Sequence, residues 1–293
     1  MLKVHASDDP QKASSDVLPL DGHVHSEWSW DAVAGDMEAT CARAVELGLP
    51  AVAFTEHVDH TRWLVTEATE PDPRARGERA PGTFSAAPLD VDGYLEALSR
   101  CRERFPGLHL VSGVELGEPH WHAEAVSRVL AAGGFERVLG SLHSLPEGTA
   151  AAEPPELFRR RAADDVVRSY LVELAVMVEQ TTVFEVLAHL DYPLRHWPAA
   201  AGPFVVEAYE EELRHVLSTL AGSGRVLEVN TKGPMLPEVV RWWREEGGRV
   251  VTFGSDAHRP EVLGLRLAEA VAMVESFGFR PGRHPYDRWT LPG

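Results

Sequence analysis

The chain has 293 residues, 44% of them hydrophobic, enough to fill one α/β barrel and the seam beneath its outer helices. Acidic residues outnumber basic ones 45 to 28, giving a formal net charge of −17 with no basic stripe. That balance argues against a nucleic-acid surface, which needs positive charge to replace phosphate counterions, but leaves room for a small phosphate ester held by a few local cations.

In chain order, the first predicted strand covers 20–24 and runs into DGHVHSEWSWD, which carries His23, His25 and Asp31. A helix over 36–47 leads to a strand over 51–54, ending in FTEH with His57. Residues 61–90, rich in Pro, Gly, Glu and Arg and without periodicity, predict a long loop that covers the mouth of a site. A helix over 91–104 and a strand over 108–113 follow, the latter entering GVELGEPHWH with Glu115, His120 and His122. After a helix over 123–132, a strand over 137–139 leads into GSLHS with His143. A second loop is predicted over 145–163 and carries Arg159, Arg160 and Arg161. A helix over 164–180 precedes a strand over 183–187 and AHLD, with His189 and Asp191. The remaining elements are a helix over 205–221, a strand over 226–229, a helix over 236–246, a strand over 250–253 and a helix over 261–276. The last strand ends in GSDAH, with Asp256 and His258.

Strand–helix alternation at this spacing implies right-handed crossovers and a parallel sheet, here a distorted (β/α)7 barrel forming a single domain over 20–293. Residues 1–19 read as an N-terminal tail without the apolar core of a signal peptide, and no run is long enough to span a bilayer. The expectation is a cytoplasmic protein without membrane contact. Cys41 and Cys101, the only cysteines, stand in no ligand spacing and read as reduced packing residues.

In a parallel barrel every strand points its C-terminal end at one face, so residues far apart in sequence converge there. Of the fourteen histidines, those at strand ends collect with carboxylates on that face. His23 and His25, two apart on an extended strand, project to the same side, and Asp256 and His258 share that spacing. A lone buried histidine is more often a hydrogen-bonded core residue than a ligand. Nine candidates at the ends of six strands (His23, His25, Asp31, His57, Glu115, His143, His189, Asp256, His258) argue for metal instead. Their number exceeds one coordination sphere, so two or three divalent ions are expected, and the imidazole–carboxylate mixture suits zinc, manganese or iron. His5, His60, His109, His196, His215 and His284 lack the pattern and read as ordinary surface or structural residues. His120 and His122 lie near the mouth, where a plain loop role weighs at least as much as substrate contact.

The ordered set His-x-His, Asp, Glu-His, Gly-x-Glu, Gly-Ser-x-His, His-x-Asp and Ser-Asp-x-His resembles the PHP family, named for polymerase and histidinol phosphatase. The resemblance runs from Asp21 to about Gly264. It implies the distorted seven-stranded barrel, a trinuclear site and phosphoester hydrolysis. By that resemblance His23, His25, Glu115 and Asp256 hold one ion, and Glu115 bridges to a second held by His143 and His189. Asp31, His57 and His258 hold the third. Glu56 stands where many members of the family have Asp. Within the family, GEPH after Glu115, AHLDYPLR and LEVNTKG resemble the histidinol phosphatase branch, which implies hydrolysis of L-histidinol phosphate to L-histidinol and phosphate. That branch commonly places an arginine a few residues after the Asn of the sixth strand, whereas Asn230–Leu236 has none.

The substrate-binding candidates are therefore Asn230, Lys232 as a point charge, and Arg195, each weighed against a solvated rim charge. Arg159–Arg161 are an alternative phosphate site. Glu115, Asp256 and His258 are the catalytic candidates, with Asp256 or His258 handing a proton to the leaving alkoxide. Asp191 is expected to orient His189. Two other readings compete: a phosphoesterase acting on a nucleotide or oligonucleotide, which predicts positive surface at the mouth, and a non-catalytic metal-binding module, which predicts missing ligands.

Overall fold

The computed structural model describes residues 18–292, so nearly all of the tail assigned to 1–19, and His5 with it, lies outside the described residues. Seven strands pair in parallel: β1 (Asp21–Val24), β2 (Ala51–Val58), β3 (His109–Gly117), β4 (Arg137–Ser141), β5 (Val186–Leu187), β6 (Val226–Asn230) and β7 (Val250–Gly254). An eighth, β8 (Trp289–Thr290), adds to β7 in the antiparallel sense. Sequence order and spatial order coincide across this sheet. The sheet curls until its ends meet: His25 N donates to Ala257 O and Asp256 N to His23 O, each at 2.8 Å. These bonds tie the C-terminal end of β1 to that of β7.

Eight helices connect the strands: α1 (Met37–Leu47), α2 (Val91–Arg104), α3 (Ala123–Gly133), α4 (Pro154–Arg160), α5 (Ala163–Gln180), α6 (Glu210–Gly222), α7 (Pro237–Glu245) and α8 (Leu267–Ser276). Local chemistry sets several of their ends. Asp36 and Asp90 cap α1 and α2 by accepting from Ala39 N and Gly93 N at 2.8 and 3.1 Å. Gly48 closes α1 in the left-handed conformation. Because helices cover the outer face and side chains fill the inner one, β2 (AVAFTEHV) is buried at all eight positions. The main core lies between sheet and helices and is rich in residues such as Leu174, Leu217, Trp242 and Trp243, all fully buried. Burying a side chain of that kind stabilises the fold by about 1.5–3 kcal/mol.

The structure corrects several expected boundaries. β2 and β3 each run four residues further than expected and β4 two, so His57 and Glu115 sit inside strands, Glu115 paired with His57 on one side and with Leu139 on the other. Of the strand expected over 183–187 only Val186 and Leu187 are regular strand, with the Glu185 backbone bonding Val138 and Val226 just ahead of them. The helix expected over 261–276 is broken at Gly264, whose φ is +70.

Residues 61–90 and 145–163, expected to be loops, contain regular structure. Arg62–Leu64, Gly77–Ala80, Thr83–Ala86, Leu145–Glu147 and Ala150–Ala152 form a separate five-stranded sheet, and α4 follows it. The two segments join where Trp63 pairs with Ala151. Pro81–Gly82 is a hairpin turn, with Gly82 at φ +71. This small sheet lies over the C-terminal end of the curled parallel sheet: Trp63 contacts Trp30 at 5.3 Å and stacks on Phe84. No helix among the described residues is long and apolar enough to cross a membrane.

Candidate metal centre

Strand register brings the donors together. His57 on β2 is the direct partner of Glu115 on β3, and the bond from Asp256 N to His23 O sets the two ends of the sheet side by side. Glu115 is fully buried at the middle of the cluster, and its two oxygens face different ways. Oε2 lies 3.2 Å from His23 Nε2, 3.3 Å from His25 Nε2 and 3.1 Å from His57 Nδ1. Oε1 lies 2.7 Å from His189 Nε2 and 3.3 Å from His143 Nε2. Asp256 Oδ1 reaches His25 Nε2 at 3.4 Å and His23 Nε2 at 3.9 Å. Asp31 spans the remaining pair, with Oδ2 3.0 Å from His258 Nε2 and Oδ1 3.5 Å from His57 Nε2. All nine expected ligands thus belong to one cluster.

The supporting hydrogen bonds determine which imidazole atoms point inward. His23 Nδ1 donates to Glu228 Oε1 at 2.8 Å. Ser29 spends its hydroxyl proton on Glu56 Oε2 at 2.6 Å, so it accepts from His25 Nδ1 at 2.9 Å. Both rings therefore turn Nε2 toward the two carboxylates, and although burial opposes charge on His23, Glu228, Glu115 and Asp256 raise it well above the ordinary histidine range. His23 Nε2 and His25 Nε2 are 3.1 Å apart, and acceptors crowded this closely need positive charge between them. Glu115 Oε2, His57 Nδ1 and Asp31 Oδ1 are moreover buried with no hydrogen-bond partner. Ligands about 2.0–2.2 Å from a tetrahedral ion lie about 3.3–3.6 Å from one another. Most of the separations above fall at or near that spacing, so the residues fit a metal. Groups of three converging donors recur across the cluster, including His23–His25–Glu115, His57–Glu115–His143, His25–His57–His258 and His23–His189–Asp256.

Electrostatics point the same way. Burial lowers His57, but Asp31 and Glu115 outweigh it and push the ring up to about 9. Burial likewise opposes charge on His143, yet Glu115 and Asp59 raise it well above the ordinary histidine range. His25, buried and beside His57 and His258, is lowered to about 4. The carboxylates draw positive charge into the site, and a divalent ion competes with protons for the same lone pairs.

Beside the cluster lies a cavity of about 250 Å3, lined on one wall by Arg195, Lys232, Asp256 and His258. Arg195 Nη1 donates to Asp256 Oδ2 at 2.5 Å and Nη2 to Asn230 Oδ1 at 2.9 Å. Lys232 Nζ lies 3.3 Å from Asp256 Oδ1 and 3.5 Å from His258 Nδ1. Arg195 and Lys232 thus meet at one carboxylate, Asp256, while Asn230 holds the Arg195 guanidinium from the side. Asp256 holds a left-handed backbone, φ +52, which is uncommon outside glycine and concentrates at functional sites.

Other expectations are placed differently. Asp191 makes no bond to His189: Asp191 Oδ2 and His189 Nδ1 are both buried without a partner. Asp191 starts the turn Tyr192–His196, and its Oδ2 lies over Gly233 instead. His120 Nε2 donates to Glu173 Oε1 on α5 at 2.8 Å, and His122 Nε2 donates to Thr61 Oγ1 at 2.8 Å, so both are structural. None of Arg159, Arg160 and Arg161 lines the cavity. Three functional neighbours were missed. Glu228 holds His23 Nδ1 with one oxygen and accepts from His189 N at 2.9 Å with the other. Gly254 makes room for it, since a Cβ there would lie 2.3 Å from Glu228 Oε1. Asp59 sits 3.4 Å from both His57 Nδ1 and His143 Nδ1, and Ser29 links Glu56 to His25. A carboxylate in the otherwise apolar strand LEVN, and another two residues after His57, were the available signals.

A model of the PHP domain matches residues 21–232. The chain is 27% identical to a probable histidinol-phosphatase of Thermotoga maritima, covering 89% of this chain and 93% of that one. It is 28% identical to a probable histidinol-phosphatase of Deinococcus radiodurans, covering 89% and 94%. Its fold is similar to the crystal structure of histidinol phosphate phosphatase from Lactococcus lactis complexed with zinc, L-histidinol and phosphate, with a TM-score of 0.73, 22% identity and coverage of 89% and 94%.

Proposed function

The chain belongs to the PHP domain family, and from that premise we propose that it is a metal-dependent phosphatase converting L-histidinol phosphate to L-histidinol and phosphate in histidine biosynthesis. One observation carries the reading: a cluster of nine metal-type donors shares a cavity wall with two cations, Arg195 and Lys232, that meet at Asp256. The names of the relatives, which match over nearly their full length, supply the substrate.

Two or three ions of zinc, manganese or iron fit the donor count. His23, His25, Glu115 and Asp256 would hold the first, Glu115 with His143 and His189 the second, and Asp31, His57 and His258 the third. Bound ions would supply positive charge against the phosphoryl oxygens and a nucleophile from water near neutral pH. The chain's own residues do the rest. Arg195 and Lys232 bind the phosphate and neutralise its charge as the bond to the alkoxide breaks, with Asn230 fixing the guanidinium. Both oxygens of Asp256 are engaged, one with His25 and Lys232 and the other with Arg195. His258, with Nε2 toward Asp31 and Nδ1 on the Asp256 carbonyl oxygen, each at 3.0 Å, lines the cavity and is the other candidate to hand a proton to the leaving alkoxide.

The seven parallel strands, joined first to last at their C-terminal ends, support reading the sheet as a distorted (β/α)7 barrel in one domain, with the small sheet as its cover. Both cysteines are free and buried, which suits the reducing cytoplasm. The test is phosphate release from L-histidinol phosphate and a nucleotide panel, before and after chelation and metal return. Chelator-sensitive, metal-restored release favouring L-histidinol phosphate is expected. A metal-replete protein that releases phosphate from none of them overturns the reading.

A further inference from the structure

The wall of the cavity facing away from Asp256 has a different character. Glu153 caps the N-terminal end of α4 with its backbone, leaving its side chain free of that duty. The carboxyl is half-buried, lines the cavity, and has the Tyr192 hydroxyl, at 3.3 Å, as its only hydrogen-bond partner among the described residues. The other carboxylates on the wall are committed. Asp59 accepts from Trp30 Nε1 at 2.7 Å and faces His57 and His143, while Asp72 is paired with Arg74 at 3.0 Å.

Tyr192 links this pole to the cationic one. The guanidinium carbon of Arg195 lies 5.3 Å from the Tyr192 ring centroid, and the hydroxyl end of the same ring reaches Glu153. The two poles of the cavity are thus one tyrosine apart, a separation on the scale of a short amino alcohol esterified with phosphate. Burial pushes the Glu153 carboxyl up to about 7, with His143 pulling it down and the nearby Asp59 and Glu118 pushing it up. An ionised Glu153 has a call on a cation, and among the described residues no side-chain cation forms a hydrogen bond or ion pair with it.

We propose that Glu153, held by the Tyr192 hydroxyl, is the specificity residue that binds the cationic amine of the substrate, so that the cavity selects phosphomonoesters of small amino alcohols over neutral ones. This rests on the phosphatase reading above but not on any single amine. A neutral or anionic alcohol leaves the buried carboxylate without its partner, which is how a polar site rejects an analogue.

The test compares kcat/KM for paired esters, L-histidinol phosphate and phosphoethanolamine against glycerol phosphate and p-nitrophenyl phosphate, in the wild type and in Glu153→Gln. Glutamine keeps the shape and can still accept from Tyr192, and turnover of the neutral esters together with metal content reports on folding. Glu153→Gln is expected to lose about ten- to a hundredfold on the amine esters, mainly through KM, while changing the neutral esters by less than about threefold. Glu153→Asp should recover part of the preference. An unchanged ratio of amine to neutral esters, or a wild type that does not prefer the amine member of any pair, overturns the assignment while leaving the phosphatase reading standing. A wild type that hydrolyses no phosphomonoester overturns both.

Discussion

The donor cluster and the small sheet above it line the same cavity but are assembled differently. Each donor at the rim stands on or follows a parallel strand, and the sheet's own hydrogen bonds set its position, as the pairing of His57 with Glu115 illustrates. The cover joins two segments far apart in the chain through one parallel contact, Trp63 with Ala151, and a few aromatic rings. The rim is thus rigid by inheritance from the sheet. The cover depends on short strands and its docking on Trp30. The contrast predicts that rim substitutions remove chemistry with the fold intact, and that cover substitutions loosen local structure with the metals in place.

The largest effect should come from Glu115→Gln. The change keeps volume but removes the charge facing both groups of histidines, so turnover should fall on the order of a thousandfold or more. Circular dichroism should remain that of the wild type; near-wild-type turnover in a metal-loaded variant would break the rim side of the comparison.

Arg195→Ala comes next. Losing one charge-assisted contact costs about 2–4 kcal/mol, or about thirty- to nearly a thousandfold in kcat/KM, expressed in both KM and kcat. Metal content should be unchanged, because a guanidinium cannot ligate a cation and Asp256 keeps its other oxygen toward His25.

Glu228→Gln sharpens the comparison from behind the ligands. The fully engaged carboxylate fixes His23 and the backbone of His189. Its loss of charge should weaken metal affinity about ten- to a hundredfold, measured by competition with a chromogenic chelator. Unaltered affinity would mean that the barrel alone orients these histidines.

The smallest effect is expected in the cover. Gly82 has φ +71 and open space where a Cβ would go, so Gly82→Ala adds backbone strain of about 1 kcal/mol and no clash. Limited proteolysis should speed up within residues 61–90, while metal content and turnover of a small ester stay near wild type. A loss of metal would show that cover and rim are one cooperative unit.

The same difference explains what could be read from the chain alone. The parallel strands, the main helices and the nine side chains that gather in the cluster were legible, because apolar runs mark the strands and most of the nine lie within a few residues of a strand's end. His57 and Glu115 were placed after their strands and prove to be inside them, since pairing across β2 and β3 extends past the last apolar run. The cover was read as loop because strands of three or four residues leave no periodicity, and Ala151 gives no local sign that it pairs with Trp63. Asp191 was assigned to His189 from proximity in sequence. The residue that holds the β5 rim, Glu228, comes from the adjacent strand, and only the sheet's register brings it there.

Elemental analysis of the purified, metal-loaded protein tests the central claim most directly. The donor cluster built around the two faces of Glu115 predicts two or three equivalents of zinc, manganese or iron per chain. A saturating value of one equivalent or less would contradict it.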